Sequence, residues 1–168
     1  DDGNYLYWND ADCVLHDFTT PVTDIVDLDF DINLGVDGPK FRTRHTATPY
    51  IPVWMNTGNI FIRCTDDTRY WFDKVYTDET YKMWHSPNFY CWEQSALEQM
   101  YTEEVEFRNK VNLVEPFFLF NSDEGSFLKH ALGDWHLKDG KTARLQSYCR
   151  DIITKEGIQD FSYVWGLL

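Results

Sequence analysis

Near its start the chain carries an apolar run, Tyr5-Leu6-Tyr7-Trp8, that ends on Asn9-Asp10-Ala11-Asp12. The run reads as a strand, and in an α/β sheet the carboxyl ends of strands line the ligand crevice. Asp10 and Asp12 are therefore expected at the mouth of a site rather than in a core. Two carboxylates separated by one small residue suit a hard divalent cation such as Mg²⁺ or Mn²⁺, whose other coordination positions stay open to phosphate oxygens. The same triplet is common on solvated strand ends of acidic chains, so its meaning depends on the motifs that accompany it further along the chain.

The length, 168 residues, is enough for one domain with a core and short for two. Aromatic residues make up 17%, so disorder is excluded and rings are available for a core or for stacking on sugars. Fifteen basic against twenty-eight acidic side chains give a net charge of -13, which argues against nucleic acid and anionic membrane surfaces as partners. No apolar run is long enough to span a bilayer. The abrupt opening at Asp1, almost within a strand, reads as a fragment. Cys13, Cys64, Cys91 and Cys149 are too scattered for a disulfide scaffold and contain no Cys-x-x-Cys pair. Cys13 and His16, three apart, read as structural.

Strands are expected over 5–8, 24–30, 59–63, 112–114 and 117–120, each short and rich in β-branched or aromatic residues. A helix opens on Asp66 and Asp67 and runs to Tyr76, with acids where the dipole prefers them; others cover 92–100 and 142–154. Alternating strands and helices indicate an α/β layer fold. Residues 35–52, with Gly35, Gly38, Pro39, Pro49 and Pro52, read as one long loop overhanging the site. The acidic run from Asp27 to Asn33 looks like a calcium loop but has Ile32 where the turn needs Gly and Gly38 where a bidentate Glu belongs. It is read as a strand with Leu28, Phe30 and Ile32 on its buried face.

Three more patterns occur in order along the chain. Asn56-Thr57-Gly58 precedes a strand and reads either as an ordinary turn or as a place where a Gly lets the backbone approach a ligand. Glu93-Gln94 opens a helix with a carboxylate and an amide side by side. His136 stands before Gly140 and Lys141, where an imidazole can ligate a metal and helix amides with a Lys can hold phosphate. His130, six residues before His136, is a rival ligand. No Gly-x-Ser-x-Gly, P-loop or Gly-x-Gly-x-x-Gly pattern supports an esterase, NTPase or dinucleotide reading.

In this order the motifs resemble those of the GT-A glycosyltransferases with an Asp-x-Asp motif. They are most similar to the galactosyl/mannosyl transferase family, which includes fungal galactosyltransferases and plant xyloglucan xylosyltransferases, and to the related nucleotide-diphospho-sugar transferases. The resemblance covers roughly residues 5–150. It implies a GT-A-like, Rossmann-like mixed sheet flanked by helices, in a single partial catalytic domain (1–168) lacking the N-terminal nucleotide-binding half. It implies a metal-dependent transferase of the retaining kind, moving a hexose or pentose from a UDP- or GDP-sugar to a hydroxyl on a glycan or glycoprotein acceptor. Asp10, Asp12 and His136 would bind Mn²⁺ or Mg²⁺. Asp10, Asp12, Asn56, Gly58, Gly140 and Lys141 would bind the donor, and Glu93 and Gln94 would approach its anomeric carbon. Apart from the resemblance, the aromatic surplus makes Trp54, Trp84, Tyr90 and Trp92 candidates to stack on sugar rings of an acceptor, with the core as the other place for such rings. The resemblance also implies a Golgi location. The spacing departs from the comparable motif, which has two residues between His and Gly where this chain has three. A non-catalytic carbohydrate-binding or scaffold domain is the alternative from another class, and a metal-dependent phosphoester hydrolase ranks below it.

Overall fold

The computed structural model describes residues 3–36, 55–82, 92–114, 125–131 and 140–157. Six strands occur among them: β1 (Tyr5–Asn9), β2 (Cys13–Leu15), β3 (Ile32–Val36), β4 (Met55–Arg63), β5 (Val111–Val114) and β6 (Leu128–His130). The helices are α1 (Asp66–Thr77), α2 (Glu79–Lys82), α3 (Trp92–Glu103), α4 (Val105–Arg108) and α5 (Gly140–Glu156). Strands β1, β4, β3 and β5 form one mixed sheet in that order, with β3 and β5 parallel and the other pairs antiparallel. β2 and β6 form a second, antiparallel pair. The expected mixed α/β architecture is therefore present.

β4 is the spine of the sheet. Its β-branched and aromatic run, Ile60-Phe61-Ile62, is buried on both faces, as befits a strand with neighbours on either side. Ile60 and Ile62 join Ile32 and Leu34 under α1 to α4, which supply Trp71, Val75, Tyr81, Leu97, Met100 and Phe107 to the main core. Phe61 faces the other way, onto Val26 and Val114, and stacks on Tyr5 at 4.9 Å between centroids. The outer strand β1 alternates accordingly: Tyr7 packs toward Phe61, whereas Leu6 and Trp8 stay about half exposed on the helix side.

Helix α1 starts where Thr65 and Thr68 form a reciprocal cap, each side chain bonded to the other's backbone N–H at 3.0–3.1 Å. Asp66 and Asp67 fill its first turn, as expected. Helix α5 carries Tyr148 and Ile152 on its buried stripe, and Lys129 of β6 lies over the Tyr148 ring at 5.2 Å.

Two expectations are corrected. Residues 24–30 are not a strand: the Asp27 carboxylate accepts from Asp29 N–H at 2.9 Å, and Asn33 bonds the Asp27 backbone at both its N–H and C=O. These side chains offer the backbone a turn in place of a ladder. Leu28 is exposed, and the strand begins only at Ile32. Conversely, Gly35 belongs to β3, and Asn56, Thr57 and Gly58 lie within β4 rather than in a turn before it. The rest of the expected loop (37–52) and the expected strand over 117–120 lie outside the described residues. No helix among the described residues is long and apolar enough to cross a membrane.

Candidate functional site

The site is built at the end of the sheet where β1 stops. Between Leu34, opposite Ile60, and Gly35, opposite Asn56, the β3–β4 register shifts, so Thr57, Gly58 and Asn59 bulge from the ladder. The Asn56 carboxamide oxygen accepts from Gly58 N–H at 2.8 Å and fixes this bulge. The bulge then receives the acidic turn: Asp10 N–H donates to Gly58 C=O at 2.7 Å, and Cys13 N–H to Asp10 C=O at 3.0 Å. On its far side the turn is tied to β6, where Ala131 N–H donates to Asp12 C=O at 3.0 Å. The Asp-x-Asp segment is thus held by backbone at both ends.

This anchoring brings Asp12 against two cationic partners. His130 Nε2 lies 3.2 Å from Asp12 Oδ1, and Lys141 Nζ pairs with Oδ2. Partial burial works against the Asp12 charge, but these bonds outweigh it and hold the carboxyl well below the usual carboxylate range. The Cys13 thiol stands beside them, donating to Gly58 C=O at 3.3 Å. Burial, and then the charges of Asp12 and Asp10, push that thiol up to about 12. One ligand atom from each of Asp12, Cys13 and His130 lies within 4.8 Å of the others, the one such group among the described residues. This donor set fits a divalent cation.

Gly58 explains how a buried imidazole reaches that position. A Cβ at residue 58 would stand 2.8 Å from Asn56 Oδ1 and 3.0 Å from His130 Nδ1, and closer still to His130 Cε1. Only a residue without a side chain lets the ring lie on the bulge.

A groove of about 630 Å³ opens next to this cluster, between β1 and the helices α1 and α3. Ile60, Ile62, Phe72, Val75 and Leu97 wall it, Trp8 and Tyr76 add rings, Asp10 and Glu93 provide carboxylates, Thr57 and Thr68 hydroxyls and Arg69 a guanidinium. Thr57 Oγ1 donates to Glu93 Oε1 at 3.1 Å and orients that carboxylate. The Asp10 carboxyl is raised from its ordinary value, first by partial burial and next by the neighbouring Asp12 charge.

Of the residues singled out in the sequence, Asp12 and Lys141 meet directly, while Asp10 and Glu93 share the groove. Asn56 and Gly58 stand at the bulge, where Gly58 faces His130, rather than among the groove-lining residues. Gln94 is buried in the first turn of α3, and Gly140 begins α5. His136 lies outside the described residues; the imidazole beside Asp12 is His130, the rival ligand. Trp54, Trp84 and Tyr90 also lie outside them, and the rings at the groove are Trp8, Phe72 and Tyr76. Thr57 and Cys13 escape a reading of the sequence as site residues. The only signal for either is its position next to a recognised residue.

No family model and no curated protein matches this chain. Among solved structures it is similar to a glycosyltransferase involved in the glycosylation of the major capsid of PBCV-1, with a TM-score of 0.51 and 14% sequence identity. The fold is glycosyltransferase-like. The match covers 87% of this chain and 66% of the other, so the chain spans just under two thirds of that enzyme.

Proposed function

We propose that this domain transfers a sugar from a nucleoside diphosphate donor to a hydroxyl on a glycan or glycoprotein acceptor, as the galactosyl/mannosyl transferases and related nucleotide-diphospho-sugar transferases do. The Golgi placement of such enzymes belongs to the same proposal. One observation carries the reading: Asp12 of the Asp-x-Asp turn meets His130 and Lys141 beside a groove that holds Glu93. Strand β1, strand β6 and helix α5 converge there from distant parts of the chain.

Asp12 and His130 would hold a divalent cation, Mn²⁺ or Mg²⁺ by the resemblance, and Asp10, which lines the neighbouring groove, would add negative charge nearby. When bound, the cation supplies Lewis acidity that offsets the charge on a departing diphosphate. Lys141 brings a positive charge to the first turn of α5, a helix with no acidic residue in that turn, so its amides and the ammonium suit phosphate oxygens. Glu93, oriented by Thr57, is the carboxylate assigned to the donor's anomeric carbon. The groove rings Trp8, Phe72 and Tyr76 suit a sugar face.

Calorimetric titration of UDP and GDP, with Mn²⁺ and with chelator, tests this reading. Binding that needs the cation and is lost in Asp12→Ala is expected. Equal binding with chelator, or glycan binding that needs neither metal nor nucleotide, would replace it with a non-catalytic carbohydrate-binding domain.

A further inference from the structure

We infer that Cys13 is a third protein ligand of the cation and the residue that sets which ion the site selects. The inference rests on the proposed cation site at Asp12 and His130 and goes beyond it in adding a sulfur donor.

The geometry already approximates a ligand cage. Two nitrogen or oxygen ligands at 2.0–2.1 Å from a tetrahedral ion stand about 3.3 Å apart. His130 Nε2 and Asp12 Oδ1 are 3.2 Å apart, with the other Asp12 oxygen left to Lys141. The Cys13 sulfur belongs to the same group of atoms within 4.8 Å, because residue 13 of β2 is directly paired with residue 130 of β6. A hydrogen bond now joins Asp12 and His130; an ion in its place would bond to both and to sulfur.

A second observation points the same way. Asn59, on the bulge, is completely buried, and the polar neighbour its amide interacts with is the Cys13 sulfur; neither amide atom makes a regular hydrogen bond to another group among the described residues. Buried amides are ordinarily satisfied. A sulfur anion beside it would accept from this amide, in the manner of the outer-shell donors that orient metal ligands. The Cys13 proton leaves to solvent as the sulfur–metal bond forms, and the ion would replace the Nε2 proton of His130, whose ring would bind as the neutral tautomer protonated at Nδ1, so charge and atoms balance.

The consequence is ion choice. Oxygen-only sites suit Mg²⁺ and Mn²⁺, whereas a thiolate beside an imidazole favours Zn²⁺ and Co²⁺. Affinity in the order Zn²⁺, Co²⁺, Mn²⁺, with Mg²⁺ weakest, is expected.

The test is titration of the full chain with Co²⁺, monitored by absorption. One equivalent is expected to give the near-ultraviolet charge-transfer band of a cobalt–thiolate bond. Cys13→Ser, checked for folding by circular dichroism, is expected to lose the band and to weaken Zn²⁺ by about tenfold or more. Cys64→Ser and Cys149→Ser keep the band. Co²⁺ bound without the band, unchanged in Cys13→Ser but lost in Asp12→Ala, would overturn the role of Cys13 and leave the cation site standing. No Co²⁺ binding at all would overturn both.

Discussion

The two ends of the main sheet are both rich in charge, and they handle it in opposite ways. At the end where β4 stops and β5 begins, Asp31 is met by Arg63 at 3.1 Å and Lys110 at 3.2 Å, and Lys110 in turn meets Asp67 at 2.8 Å. Positive and negative groups there are interleaved and partly solvated. At the end where β1 stops, Asp10 and Glu93 line a groove with Asp12 two residues along the chain from Asp10, and of these three acids the ion pairs among the described residues reach only Asp12. The buried Asn59 amide there has only the Cys13 sulfur as a polar neighbour among the described residues, and Asp10 holds its proton more firmly than an ordinary aspartate. Matched charges belong to the scaffold. The surplus acid and raised carboxyl of the other end are the features that the proposed cation would answer.

Substitutions at the two ends should therefore differ in kind. Asp12→Ala removes the partner of His130 and Lys141 together and is expected to cut metal-dependent nucleotide binding by about a hundredfold or more, read by calorimetry. A variant that bound as tightly would show that the acidic end is scaffold after all. Gly58→Ala comes next. The added methyl collides with His130 and Asn56 within a buried strand, and a loss of about 1–3 kcal/mol in urea unfolding is expected, with weaker metal binding alongside. An unchanged midpoint would mean that the imidazole can move off the bulge without cost.

The same contrast explains what could be read from the residues alone. The spine β4 announces itself by Ile60-Phe61-Ile62, and α1 by acids over its first turn, because both signals are local. Asp10 and Asp12 are legible as the end of a strand. The acidic run before β3 misleads because a period-two pattern of Leu28, Phe30 and Ile32 coexists with Asp27 and Asn33 side chains that close turns on their own backbone. Strands β2 and β6 have three residues each, too few to show a period. His130 and Cys13 become neighbours only through that pairing of remote segments. Asn56-Thr57-Gly58 reads as a turn for a sound reason: the Asn56 side chain does close one, inside a strand.

Asp31→Asn probes the scaffold end. It strips Arg63 and Lys110 of a common partner whose side chain is only 13% exposed, and a loss of about 1 kcal/mol is expected, with nucleotide and metal binding unchanged. Weakened binding in this variant would mean that the two ends are coupled through β4.

Asp10→Asn has the smallest expected effect and the opposite sign. Burial, then the Asp12 charge, raises the Asp10 carboxyl, so the folded protein keeps that proton more tightly than the unfolded chain does. At neutral pH ionisation of Asp10 therefore costs stability, and the Asn variant is expected to be the more stable by less than about 1 kcal/mol, since solvent screens the charge. As pH falls through the raised value toward the ordinary aspartate pKa of about 3.9, the wild-type carboxyl is protonated in both states and the difference closes. Asp12 runs the other way: its lowered carboxyl stabilises at neutral pH, and that contribution is lost only below the ordinary range as the folded-state group takes its proton. Thermal melts of wild type and Asp10→Asn between neutral pH and about pH 4 check the sign. A divalent cation supplied at neutral pH should reverse it, because the charge that burdens the free protein then faces an ion, whereas a variant less stable than wild type without any cation would mean that Asp10 is already matched.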